Sequence, residues 1–147
     1  MRKQIAIIAV LLLVCLAGCS STPKFPIDRY SWEMTTVQSG EKGSVIACSA
    51  ELADRNEGAE VIALTCKAED GYISVADLTD SETYTGEYRV TETSSKATIY
   101  EIKIGDTTGH AVTSMTTYHD ESESPTLIIS IGDYALNFQA ISETTGE

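Results

Sequence analysis

The side chains that could do chemistry in this chain are two histidines, a dense acidic loop, four cysteines and a scatter of aromatic rings. Neither G-x-S-x-G, H-E-x-x-H, the P-loop nor the dinucleotide fingerprint occurs. His110 and His119 stand at opposite ends of one expected strand, roughly 30 Å apart at ~3.3 Å per residue. They share neither a metal nor a proton relay unless that strand breaks. The run His119-Asp120-Glu121-Ser122-Glu123 is the densest group of oxygen ligands, but it lacks the glycine and the terminal bidentate Glu of an EF-hand. It reads as a solvated acidic turn, and Glu41, Asp54, Glu57 and Glu60 read as surface residues. No pair of carboxylates is singled out for glycoside hydrolysis. An enzyme is therefore not expected, and neither a resident metal nor a cofactor is. Trp32 with Tyr72, Tyr84, Tyr88, Tyr100 and Tyr134 has two readings. They are core rings whose hydroxyls reach polar partners, or they line an apolar pocket with hydroxyl handles for a small ligand.

The cysteines are more telling. Arg2 and Lys3 precede an apolar run from Ile5 to Leu16, which is too short to span a bilayer as a mature helix (~20 residues). A basic start, an apolar middle and small residues before a cleavage point make a secretory signal peptide. The basic pair keeps the amino end on the cytoplasmic side. Its last four residues, Leu16-Ala17-Gly18-Cys19, resemble the lipobox of bacterial lipoproteins. That resemblance implies diacylglycerol transfer to the Cys19 thiol and cleavage after Gly18. A thiolate suits such a transfer because it is a far better nucleophile than a hydroxyl at neutral pH. Two or three acyl chains anchor much more stably than one. The alternative is an ordinary secretory peptide in which Cys19 is a coincidence. Cys15 lies within the discarded segment. Ser20 is compatible with an outer-membrane address in a two-membrane bacterium. The expected location is thus the extracytoplasmic side of a membrane, on either the cytoplasmic or the outer membrane.

Without residues 1–18, two of them basic and none acidic, 129 residues remain, carrying 8 basic against 22 acidic side chains for a net charge of −14. That length suits one domain with a proper core. The acidic balance argues against nucleic acid and anionic headgroups as partners. Cys48 and Cys66 are then an even pair outside the cytoplasm, which reads as a disulfide. It would close a loop of about 18 residues, worth ~3 kcal/mol in the chain-entropy model. The alternative is two free thiols.

Residues 19–29, with Pro23 and Pro26, read as the lipidated cysteine and a short tether, although Phe25 and Ile27 could pack on the domain edge. Residues 30–141 form the domain, and 142–147 a frayed tail. Within the domain, short β patterns alternate with turn clusters. Strands are expected at 31–38, with Trp32, Met34 and Thr36 on one face, then at 44–48 and 60–68. The latter shows Ile62, Leu64 and Cys66 on one face. A short helix capped by Ser49 is expected between the last two. Glu69-Asp70-Gly71 is a hairpin signal, followed by strands at 72–77, 83–91 and 97–104. The next strand, 110–118, has no legible inner face. Strands at 126–131 and 134–140 flank a Gly132-Asp133 turn.

About nine strands joined by short turns argue for an all-β antiparallel meander. Closing into a barrel removes its open edges. Trp32 on the first strand, the helical excursion and the strands Asp70-Gly71-Tyr72-Ile73-Ser74-Val75 and Tyr84-Thr85-Gly86-Glu87-Tyr88 resemble the lipocalin-like (calycin) barrels of small bacterial lipoproteins. Trp32 lacks the preceding glycine of their G-x-W signature. The resemblance implies an eight- or nine-stranded barrel with one short helix; a two-sheet sandwich is the runner-up. Eight strands enclose an interior just wide enough to be filled or to hold one ligand. The expected function is a membrane-anchored lipoprotein that binds a small apolar or amphipathic ligand. The alternative is a non-enzymatic interaction or structural module for an envelope protein or glycan.

Overall fold

A computed structural model of the chain describes residues 22–39, 45–48 and 60–143, with the backbone alone at 45–48 and 60–61. The expected helix at 49–57 and residues 1–21, Cys19 included, lie outside the described residues. Among the described residues ten strands follow one another: β1 (Tyr30–Ser39), β2 (Val45–Cys48), β3 (Glu60–Val61), β4 (Leu64–Glu69), β5 (Tyr72–Asp77), β6 (Glu82–Thr93), β7 (Ala97–Ile104), β8 (Thr107–Thr117), β9 (Glu123–Ile131) and β10 (Tyr134–Glu143). From β4 to β10 each strand pairs antiparallel with the next, and β10 then pairs with β1. The other edge of β1 carries β4 at Trp32 and Glu33, and β2 at Thr36 to Gln38. The result is a closed eight-stranded antiparallel barrel with β2 and β3 appended beside β1. Closure decides against the two-sheet sandwich.

The tight turns follow their residue types. Asp70 and Gly71, between β4 and β5, have φ of 49° and 84°, the positive pair that a type I′ hairpin requires. At the β9–β10 turn only Gly132 has positive φ, 55°, the signature of a turn with glycine first. These two-residue loops match the right-handed twist of the strands, so the meander proceeds without crossovers.

Three features depart from the sequence reading. The expected strand at 60–68 is broken at Ile62 and Ala63, which separates β3 from β4. In β1 the register against β10 shifts between Met34 and Thr36. That bulge turns Val37 rather than Thr36 into the core behind Trp32 and Met34. Thr36 is left half-buried, accepting a hydrogen bond from Asn137 Nδ2 at 3.1 Å. Finally, Ser142 and Glu143 are not frayed but pair with Ser31 and Tyr30.

Residues 25–29 are not tether: the alternative, in which Phe25 and Ile27 pack on the domain, holds. Ile27–Arg29 form a single 3-10 turn, and Phe25 and Ile27 are buried. This stretch plugs the barrel end bounded by the β4–β5, β6–β7 and β8–β9 turns. Three barrel side chains grip its backbone. Thr113 Oγ1 donates to the Phe25 carbonyl at 2.5 Å, Trp32 Nε1 donates to the Ile27 carbonyl at 2.9 Å, and the Ile27 N–H donates to the Tyr100 hydroxyl at 3.0 Å. Trp32, Tyr100, Phe138, Ile73, Ile102, Leu127 and Ile129 fill the interior behind the plug, all under 2 % exposed. Burying one such side chain contributes about 1.5–3 kcal/mol.

Candidate functional site: the open mouth of the barrel

Among the described residues, the opposite end of the barrel is open. Its rim consists of the β5–β6 turn (78–81), the β7–β8 turn (105–106), the β9–β10 turn (132–133) and the end of β1. Below the rim lies a cavity of about 610 Å³. Met34, Val37, Leu64, Val75, Ile104, Ile131 and Leu136 supply its apolar wall, with Ile62 beside them; Asp77, Thr107, Tyr84, Gly132 and Tyr134 complete the lining. The size lies within the range of ordinary small-molecule sites, ~300–1,000 Å³.

Strand periodicity fixes which positions of β6 and β8 face the interior, and Tyr84 and Thr107 are the ones that reach the cavity. Interior positions on β6 run Tyr84, Gly86, Tyr88 from mouth to plug, and on β8 they run Thr107, Gly109, Ala111, Thr113. Gly86 and Gly109 put no side chain into the barrel at mid-height. They are there because the strands pass too close for one. A Cβ on Gly86 would overlap the Lys103 carbonyl on β7, and one on Gly109 would overlap the Ser130 carbonyl on β9. Closely approaching backbones of this kind are where a barrel wall bends. Towards the plug the rings of Tyr88 and Tyr100 meet edge to face, 5.7 Å apart, and the interior is solid.

Of the six aromatic residues singled out from sequence, only Tyr84 and Tyr134 line the cavity. They stand at the rim, 49 % and 52 % exposed. Trp32 and Tyr100 belong to the solid end, where their polar atoms hold the plug. Tyr88 is there too, and its hydroxyl donates to Asp28 Oδ2 at 3.3 Å. Burial first, and then the Asp28 carboxylate, push its phenol up to about 12. Tyr72 begins β5 at the plugged end and is 64 % exposed. Rings with a hydrogen-bonding handle suit a plugged core as well as a binding site, so residue type alone did not separate the two. The wall itself was missed because plain aliphatic residues carry no functional signal. Positional information existed nonetheless: Ile104 and Ile131 directly precede a rim turn, and Tyr134 directly follows one.

The rim is polar where the wall is not. Asp77 Oδ1 accepts from the backbone N–H groups of Thr79 and Asp80, at 2.8 and 3.2 Å, and so fixes the β5–β6 turn. Tyr84 donates to Glu82 Oε2 at 2.5 Å. That hydrogen bond, with the charges of Glu82, Asp77 and Asp80, raises the Tyr84 phenol above its ordinary range.

None of the known protein-family models, curated proteins or solved structures matches this chain. The cavity is therefore read from its own geometry.

The remaining sequence candidates do not converge. Cys66 is a free, buried thiol, so the bridge expected with Cys48 is a correction. Register gives the reason: Cys48 pairs with Thr36 and Cys66 with Trp32 along the same edge of β1. Four residues separate those positions, roughly 13 Å, while a disulfide needs its Cα atoms within ~7 Å. Burial pushes the Cys66 thiol up to about 12. His110 faces solvent between Glu101 and Ser130, and His119 is exposed in the β8–β9 turn. In that turn Asp120 Oδ1 accepts from the Ser122 hydroxyl and N–H, at 2.6 and 3.1 Å. Those bonds hold its carboxyl below the usual range. Among the described residues no three potential ligands gather around a metal position, and no helix is long and apolar enough to cross a membrane.

Proposed function

We propose that this protein is an extracytoplasmic lipoprotein, anchored through Cys19, whose barrel mouth takes up a small apolar or amphipathic ligand. One observation carries the binding half: a cavity of about 610 Å³ with an aliphatic wall opens at one barrel end while the other end is solid. Half-exposed Tyr84 and Tyr134, with Leu78 (61 % exposed) in the β5–β6 turn, give an entering molecule apolar surface before it reaches the wall. The anchoring half rests on Leu16-Ala17-Gly18-Cys19 behind the basic and apolar leader. The fold agrees with a lipocalin-like carrier in its meander order, its closure and its Trp32-bearing first strand.

Native mass spectrometry of the mature protein purified from its own host tests the binding half. A small-molecule mass that co-purifies with the protein supports it, provided the mass is absent from a Leu136→Trp variant that fills the cavity. A protein that carries nothing, and that takes up no apolar fluorescent probe, leaves the interaction-module alternative. For the anchor, a Cys19→Ala variant should leave the membrane fraction. Unchanged fractionation would overturn it.

A further inference from the structure

The mouth is one-sided in charge. Five carboxylates stand in or beside its three described turns: Asp77, Asp80, Glu82, Asp106 and Asp133. None of those turns contains a Lys, Arg or His. Lys103 is the described cation next to the rim, and it points outward from β7, in register with Glu87 and Thr108. Asp77 lines the cavity itself, and Glu82 is held beside it through Tyr84. A ligand reaching the aliphatic wall must pass this ring. An anionic head would be repelled, and a neutral one would gain little from it.

We infer that the mouth selects a cationic amphiphile, an apolar body carrying one protonated-amine or quaternary-ammonium head. This inference rests on the cavity being the binding site, as proposed above. The body lies against Leu64, Ile104, Ile131 and Leu136, and the head stays at the rim between Asp77, Glu82 and the ring faces of Tyr84 and Tyr134. Tyrosine faces attract ammonium groups through the ring quadrupole. Two carboxylates close to the head at the protein surface favour it over a neutral head by about tenfold or more.

The test is calorimetric titration of the chain from Ser20 to Glu147, which contains every described residue, with three surfactants of one chain length below their micelle concentrations. They are dodecyltrimethylammonium chloride, sodium dodecyl sulfate and the uncharged dodecyl maltoside. The cationic probe should bind at least about tenfold tighter than the other two at low salt, and the margin should shrink as salt screens the rim. Asp77→Asn and Glu82→Gln keep the hydrogen-bond acceptors of the turn and of Tyr84, so the fold stands; together they should erase most of the margin. Asp120→Asn, at the plugged end, should leave it intact. Comparable binding of all three probes, or preference for the anionic or neutral one, overturns the charge inference but leaves cavity binding standing. No binding by any probe overturns the cavity reading as well. Cationic binding that survives Leu136→Trp is surface association and overturns the charge inference.

Discussion

Thr98 and Thr113 are cross-strand neighbours on β7 and β8, and both are fully buried. Thr113 spends its hydroxyl on the Phe25 carbonyl, whereas Thr98 Oγ1 makes no well-formed hydrogen bond among the described residues and has only a weak interaction with the Tyr100 hydroxyl. A buried polar atom left unpaired costs about 1–3 kcal/mol, and replacing it by an apolar isostere relieves that cost. Thr98→Val should therefore leave stability unchanged or raise it by up to about 1 kcal/mol. Thr113→Val strands the Phe25 carbonyl and should lower stability by about 1–3 kcal/mol. Urea unfolding of the two variants, with m-values compared, reads the contrast directly, and equal losses would show that the plug does not depend on Thr113. Titration gives a second prediction at this scale. An unfolded chain releases the Cys66 proton near the ordinary value of 9.0, but the folded thiol holds it to about 12. Between those values the unfolded state binds fewer protons, so stability falls as pH rises; below 9 the contribution is fully present. Tyr88, raised from 10.0 to about 12, acts in the same direction one step later. Midpoints measured from pH 8 to 11 should decline progressively, and Cys66→Ala should flatten the first part of that decline. The same burial should keep the Cys66 thiol from alkylation until the chain unfolds.

At the scale of elements, the barrel wall depends on two missing side chains. Gly86 and Gly109 sit where β6 meets β7 and β8 meets β9 so closely that a methyl group meets carbonyl oxygen and backbone. Relief requires parting two hydrogen-bonded strands, because a carbonyl in a ladder cannot turn aside as a flexible side chain would. Gly109→Ala should cost about 1–3 kcal/mol, as should Gly86→Ala, whereas Gly105→Ala meets open space and pays only for its positive φ of 59°. Thermal midpoints of the three variants give the comparison. Strands of this kind were legible wherever hydropathy alternates. β5 and β7 have the bounds that alternation predicts, and the Asp70-Gly71 and Gly132-Asp133 turns fall where their φ requirements put them. On β8 the inner face is Gly109, Ala111 and Thr113, no more apolar than Val112 and Thr108 on the outer face, so no pattern announces it. β1 misled at Thr36 because a bulge is set by the partner strand, which a single strand's periodicity does not contain. The plug read as a tether because its anchors, Trp32, Tyr100 and Thr113, are distant in sequence and meet it only after the barrel closes. The cavity was hidden for the same reason. Aliphatic residues such as Leu136 and Ile131 look like core until the far wall is known.

For the whole molecule, the plug and the mouth give the barrel a direction, and the proposed anchor turns that direction into an attitude on the membrane. Phe25 is fixed at the closed end, six residues from Cys19, a reach of at most about 20 Å. The barrel wall is of similar height: β7 has eight residues, about 20 Å once tilted as barrel strands are. A mouth-down attitude would stretch the whole tether along the wall and leave none to follow the lipid into the bilayer. It would also press five rim carboxylates onto headgroups that are themselves often anionic. The plugged end should therefore face the membrane and the mouth should open away from it, accessible to molecules arriving from the aqueous side. Fluorophores on single cysteines in a Cys48→Ser background measure this, one at Ser95 in the β6–β7 turn and one at Asp133 in the β9–β10 turn, with Cys66 remaining buried and unlabelled. In proteoliposomes bearing a headgroup quencher, the Ser95 label should be quenched severalfold more than the Asp133 label. Equal quenching would mean that the barrel lies on its side, and stronger quenching at Asp133 would reverse the attitude and send ligands to the mouth from the membrane itself.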